Sequence, residues 1–420
     1  MPTEKSALDE WKAAWHLPLV AAMGIATVNM PAYSLGVFFA PLERDMGWTR
    51  AQTSSGILAF SIVAVFGVPL IGRFVDLKGP RSIALPGVIA FAICFATLGL
   101  AKSAIWSWWA LWSLLALAAS LISPVVWTAA VASRFEKSRG VALATTLSGA
   151  GIGTAIAPLL SRWLIEAYGW QMAYAGIGAI ICVVLLPLAF FFFFGANDGD
   201  RRFFDGSSLE IEETVIGLTF DQGIRNGKFL RLMLAVLLVA FGLLALVVHF
   251  VPILESLGIS SARAAEAAAL IGAGSIIGRL LGGVLLDHIR GTIVGFGVFS
   301  LPTLVAWALL YWGGNGEMIF VIAFMLGLSL GSEVDVAAYL TSRYVGLQSF
   351  GALFGIIVSA LVLATGAGPW VAGLIFDRFG SYEYLLWGVM PLSLLAGLLV
   401  ASLGNEPQYR STPRGRVRKA

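Results

Sequence analysis

Charge is what this chain has least of. Lys, Arg, Asp and Glu make up 12% of its 420 residues, against roughly a quarter in a soluble domain. Folded as a globule it would have no water-facing surface, which excludes a soluble enzyme or binding module. Cysteine is nearly absent. Cys94 and Cys182 both sit inside apolar runs, a pattern of interior thiols that implies no disulfide framework. The three histidines, His16, His249 and His288, lie in distant segments with no metal-ligand spacing. No glycine loop ending in lysine is present to cradle a phosphate, so ATP drive is not expected. The first fifteen residues lack a short apolar core and small-residue cleavage site, so the first span itself is expected to direct insertion. No cofactor, no metal and no nucleic-acid partner is expected, since a net charge of +3 needs none.

What is abundant is apolar: 58% of the residues are hydrophobic and 48 are glycine. Backbone in lipid must satisfy its own hydrogen bonds, so it is helical or a closed barrel. A barrel would show short alternating segments, and the runs here are long and continuous. Twelve spans of roughly 20 or more residues, enough to cross about 30 Å, are predicted at 15–41, 51–75, 81–101, 104–132, 138–168, 171–194, 229–255, 261–288, 291–312, 316–343, 349–379 and 382–403. The fold class is therefore an all-α membrane protein with two six-helix bundles. The bundles are 1–194 and 229–403. They are joined by a polar linker, 195–228, with an acidic run at Glu210, Glu212 and Glu213 and a surface helix near Leu209–Phe220. A basic tail, 404–420, follows.

Lysine and arginine placement sets orientation. With both termini on one side, 20 of the 27 basic residues fall on that side, six fall on the other, and Arg279 lies within a span. The basic side is read as the cytoplasm, so the chain is expected in the cell inner membrane with both ends inside. The halves also repeat. A shift of 211 carries Pro41 to Pro252, Gly47 to Gly258, Gly72 to Gly283, Asp76 to Asp287, Gly140 to Gly351, Pro158 to Pro369 and Gly169 to Gly380. Parallel six-helix repeats of this kind form one class of transporter, with the substrate site between them near mid-membrane.

Gly72-Arg-Phe-Val-Asp76-Leu-Lys-Gly79-Pro-Arg81 resembles the loop 2–3 signature of the major facilitator superfamily, departing at Leu77 and Pro80. Gly283-Val-Leu-Leu-Asp287 is a degenerate second copy. The segment from Arg134 through Arg139-Gly140, Gly149, Gly151, Gly153 and Pro158 is similar to that of the monocarboxylate and oxalate/formate porters, as is Gly278-Arg279-Leu280. The resemblance implies alternating access by rocking of two bundles, with Arg279 on the carboxylate of a small organic anion. It further implies a gating motif of Gly72, Asp76, Gly79, Arg81 and Asp287, in which Asp76 latches the halves in the outward-open state. Two departures bear on coupling. Span 11 has no lysine of the oxalate-exchanger kind, and where animal-type porters have an aspartate one turn before the arginine this chain has Ser275.

Arg279 is the residue the rest is organised around, because an intramembrane guanidinium usually faces a bundle interior or wet cavity. It lies eight residues before Asp287, hence about 12 Å in from that helix end. Its planar fork matches a carboxylate; the alternative is a structural ion pair. Glu333 and Asp335 lie at similar depth, ten and eight residues before Arg343. Two residues apart on a helix, they point different ways, so one is expected at Arg279 or the cavity and the other on a neighbouring helix. Either is a candidate proton site or a static partner. Asp335 shares a face with Tyr339, a further candidate for substrate contact.

His249, toward the outer end of span 7, has the ordinary titration range of a proton gate, or else bonds a carbonyl loosened before Pro252. Asn29 and Tyr33, around Pro31, share a face and are candidates for substrate contact or for interhelical bonding. Trp127 and Pro124 are candidates for the wall of the site. Trp106, Trp108, Trp109, Trp112 and Trp312 read as interface anchors. Gly274, Gly278 and Gly282 make a smooth helix stripe. The expectation is a monomeric, proton-coupled secondary transporter (a symporter) of a small monocarboxylate, weighed against two alternatives: a proton-driven exporter of lipophilic compounds, and a carboxylate exchanger.

Overall fold

The computed structural model describes residues 7–195, 217–346 and 348–407; of Ala7 and Asp76 only the backbone is described. The acidic run of the linker, most of the expected linker helix and all but the start of the basic tail lie outside the described residues. The described chain is helical, with one isolated bridge, Gly217 to Gly346, and no strand.

Eleven helical segments are long and apolar enough to cross a membrane. The longest, Arg139–Phe192, turns at Gly169 (φ 79°, ψ 164°) and supplies two crossings, making twelve. Spans 1 to 4 are His16–Met46, Arg50–Lys78, Pro80–Thr97 and the pair Ile105–Ser120 and Pro124–Arg134. Spans 5 and 6 are the two arms about Gly169. Spans 7 to 12 are Gly227–Val248 (extended by Phe250–Ser256), Ser261–His288, Gly291–Trp312, Met318–Val345, Phe350–Phe379 and Glu383–Ala401. The 211-residue repeat is visible in the backbone. Gly47 and its image Gly258 have φ of 68° and 86°, and Gly169 and Gly380 have 79° and 69°. A Cβ strains this left-handed conformation, so glycine ends the helix at equivalent points in both halves.

Helix packing is set by small residues, since lipid provides no hydrophobic drive between spans. Span 8 lies along span 10 with backbones almost touching. A Cβ at Gly274, Gly278 or Gly331 would overlap the carbonyl of Phe324, Leu328 or Ser275 respectively. Gly149 and Gly153 of span 5 meet Ala22 and Ala26 of span 1 in the same way.

The end of the bundle that carries both chain ends and the linker is called the near end here, and the opposite end the far end. At the far end the halves are closed against each other. Asp377, in span 11, accepts from the backbone N–H of Arg50 (3.0 Å) and Ala51 (2.9 Å) at the start of span 2. Arg50 stacks on Phe376 at 3.6 Å and donates to Tyr382 and Glu43. At the near end no hydrogen bond or ion pair joins the halves among the described residues. Gly72, Gly140, Gly283 and Gly351, on spans 2, 5, 8 and 11, would each accept a Cβ with no described atom within 4 Å beyond the backbone of their own helix turn.

A short helix, Ala7–Ala14, lies before span 1. Its Glu10 carboxylate accepts from the N–H groups of Glu136, Lys137 and Ser138, each at 3.1 Å, and from the Ser138 hydroxyl at 2.7 Å. Trp11 packs on Phe135 beside it, ring centroids 5.3 Å apart. The helix is thus fastened to the connection between spans 4 and 5.

Candidate functional site

A cavity of about 500 Å³ lies between the halves, lined by spans 1, 2, 4 and 5 of the first and 7, 8, 10 and 11 of the second. Its walls are largely apolar, with Phe60, Trp112 and Ile276 among them. Asn29, Tyr33, Thr154, Arg279, Glu333 and Asp335 supply polar groups.

Arg279 and Asp335 meet because of glycine. Spans 8 and 10 run parallel, and Gly331 sits on the Ser275 carbonyl. One helical turn further along both, Arg279 and Asp335 face each other. Arg279 Nε lies 3.6 Å from Asp335 Oδ2, with the side chains 17% and 31% exposed. That separation is an ion pair without a well-formed hydrogen bond. No described residue accepts a hydrogen bond from the guanidinium, and Arg279 is among the residues that line the cavity. Glu333 also lines the cavity. It is 4% exposed, and its Oε2 has no hydrogen-bond partner among the described residues. The expectation that one of the two acids turns to a neighbouring helix is corrected: both reach the cavity wall, because the cavity spans several spans' width and wraps around this part of span 10.

Asn29 spends one amide donor on the Ile25 carbonyl (3.0 Å), reaching back over the turn that precedes Pro31. Tyr33, one turn on, is half-buried and lines the cavity, as does Thr154 of span 5. Pro124 lines the wall, as expected.

Three candidate residues stand outside the cavity, His249 among them at the outer end of span 7 where its position in the sequence put it. Trp127 is fully buried; its Nε1 donates to the Ile122 carbonyl (2.8 Å) and its ring covers Gly24 and meets Phe193. It is a packing residue of the first half. Tyr339 lies past the cavity toward the near end, against Gly291 and stacked under Arg343 (5.1 Å). Although it shares a helix face with Asp335, a further turn of helix carries it below the cavity floor. His249 is fully buried at the far-end seam. Nδ1 is 2.7 Å from the Tyr382 hydroxyl, and Nε2 is 2.9 Å from the Pro369 carbonyl and 3.1 Å from Ser54 of the other half. It bridges the halves outside the cavity.

The gating motif is also placed. Gly79 has φ 81° and joins spans 2 and 3, with Pro80 opening the latter. Arg81 donates to the carbonyls of Phe190 and Phe193, both 2.7 Å, at the end of span 6. It therefore fastens the first half to itself. Gly72 faces open space and Asp287 is exposed; the Asp76 side chain lies outside the described residues.

Two groups were not anticipated. Trp108 and Trp112, expected as interface anchors, are interior: Trp108 donates to the Thr53 carbonyl (2.9 Å) and Trp112 lines the cavity. Trp106, Trp109 and Trp312 are exposed, as anchors should be. The Arg50–Asp377–Tyr382–His249 network was missed as a unit, although its members are ordinary polar residues at span ends.

A profile of the family described as Major Facilitator Superfamily matches residues 21–346. Monocarboxylate transporter 13 of Rattus norvegicus is 25% identical over 386 residues, 88% of this chain and 83% of that one. The agnestins efflux protein of Paecilomyces divaricatus is 26% identical, over 82% of this chain and 75% of that one. Among solved structures, a bacterial homolog of the human lysosomal transporter Spinster, inward-facing and unoccupied, superposes with a TM-score of 0.70. It is 16% identical and covers 95% of this chain and 96% of that one, a likeness of fold.

Proposed function

Because this chain belongs to the Major Facilitator Superfamily, we propose that it is a secondary transporter carrying a small monocarboxylate together with a proton, by alternating access across a cell inner membrane. The observation that carries this is the Arg279 guanidinium, on the cavity wall with no described hydrogen-bond acceptor and only a loose hold on Asp335. A substrate carboxylate takes the fork bidentately, which is worth more than the 3.6 Å contact it replaces. Asp335 then loses its counter-charge. An unpaired carboxylate in a site being closed costs several kcal/mol, and a proton relieves it. Substrate and proton therefore load together, and the halves 1–194 and 229–403 rock about the occupied cavity.

The basic residues put the near end in the cytoplasm. On that reading both termini are cytoplasmic, and the open near end with the sealed far end is an inward-open state. The protein acts as a monomer, since one chain holds the whole cavity.

The apolar walls and the efflux relative favour a second reading, proton-driven export of lipophilic compounds, with Glu333 or Asp335 as the proton site. The two separate on one residue. Export of a neutral or cationic compound survives Arg279→Ala, whereas carboxylate transport does not. The test is uptake of labelled carboxylic acids into proteoliposomes, with and without an imposed pH gradient. Arg279→Lys, which keeps the charge and loses the fork, is expected to cut uptake at least about tenfold. Unchanged transport in that variant, or no acid moving at all, would sink the carboxylate reading.

A further inference from the structure

The cavity holds one cation and two acids: Arg279, Asp335 and Glu333. Tyr33 is the other ionisable group on its wall. The pairing of Arg279 with Asp335 leaves Glu333 over, 4% exposed, with an oxygen that nothing described answers. Buried polar groups are normally satisfied, and each exception asks for a reason.

Charge accounting supplies one. With a plain monocarboxylate on Arg279 and one proton on Asp335, guanidinium and substrate cancel, and the halves must close over Glu333 either as an uncompensated charge or with a second proton on it. A substrate that also carries an ammonium group cancels Glu333, and the loaded site then sums to zero with a single proton. Glu333 and Arg279 line one cavity, and Glu333 is two residues along span 10 from the acid that contacts Arg279. Most of the remaining wall is apolar, with Phe60 and Trp112 on the first half and Ile276 on the second, and its other polar groups are uncharged.

We infer that the site takes a zwitterion with an apolar body, its carboxylate on Arg279 and its ammonium on Glu333. This rests on the carboxylate reading above and narrows it. Glu333 is then a specificity residue that touches substrate, while Asp335 handles the proton.

Three probes with one phenyl body separate the contributions: 3-phenylpropanoate (carboxylate only), phenylalanine (both groups) and 2-phenylethylamine (ammonium only). Uptake into proteoliposomes is measured for each with the wild-type chain and with Glu333→Gln. The wild-type chain is expected to favour phenylalanine over 3-phenylpropanoate by at least about tenfold in kcat/KM, about 1.4 kcal/mol. Glu333→Gln is expected to bring that ratio below about twofold, mostly through the KM for phenylalanine, while 3-phenylpropanoate still moves. A wild-type preference for 3-phenylpropanoate overturns the zwitterion and leaves the carboxylate reading standing. So does a ratio that Glu333→Gln leaves unchanged with both acids moving. If only 2-phenylethylamine moves, the carboxylate reading fails and this inference with it. The wild-type ranking decides the matter even where the variant does not fold.

Discussion

Asp377→Asn is the sharpest perturbation of the far-end closure. Helix starts leave their first N–H groups without intrahelical partners. In span 2, Thr49 and Gln52 form a reciprocal cap, and the N–H groups of Arg50 and Ala51 are answered by Asp377, from the other half of the molecule. Both bonds are made to an ionised group, so their net worth is about 1.5–3 kcal/mol each, and the helix dipole adds about 0.3–1 kcal/mol. Asparagine keeps one acceptor and turns an NH2 toward the second N–H. The expected loss is about 2 kcal/mol, one such bond, which shifts the balance from far-closed toward far-open roughly 30-fold.

The assay is a distance distribution between spin labels at Lys102 and Gly314, exposed far-end positions on the first and second halves, with Cys94 and Cys182 replaced. The aspartate form should give one short population and the asparagine form a second, longer one. Identical distributions would refute the argument that this carboxylate holds the seam.

Trp127→Ala should cost about 3–5 kcal/mol in stability by leaving a cavity, read as a lower thermal midpoint in detergent, with the KM for substrate unmoved. Gly278→Leu should force spans 8 and 10 apart at the Leu328 carbonyl and cost about 1–3 kcal/mol or more, read as loss of monodisperse protein on size exclusion. Glu10, off the membrane spans, is held from an ordinary 4.5 down to about 2 by the Lys137 N–H first and then the Ser138 hydroxyl. A depressed carboxyl contributes fully above its unfolded value and loses that contribution as pH falls through its folded one. The Ala7–Ala14 helix should therefore stay docked at pH 5 and come free between about 4 and 2, seen as rising mobility of a spin label at Leu8; Glu10→Gln should show that mobility already at pH 7.

Length and depth were readable from the sequence, and rotation was not. Span count follows from apolar run length, and the repeat from a constant offset of glycines and prolines that the backbone reproduces at Gly47, Gly258, Gly169 and Gly380. Depth placed Arg279 and Asp335 on one level, counted from the two near ends. Which way a residue points around its helix was another matter. In a soluble helix polarity marks the outer face, but a membrane helix is apolar on both its lipid and its protein side. Trp112 and Trp106 look alike in the sequence, yet one lines the cavity and the other faces outward. Trp127 and Tyr339 were misplaced for the same reason. The partnership of Arg50 with Asp377, 327 residues apart, has no local signature at all.

The bare backbone at the near mouth has a consequence of its own. Gly72, Gly140, Gly283 and Gly351 have room for a side chain in this conformation, so alanine or valine there leaves the resting protein untouched. On the rocking reading proposed above, shutting the mouth would bring those four places toward the facing helices, and an added methyl would act as a doorstop. Such variants would assemble, insert and accept ligand normally, and stall at a single stage of the cycle.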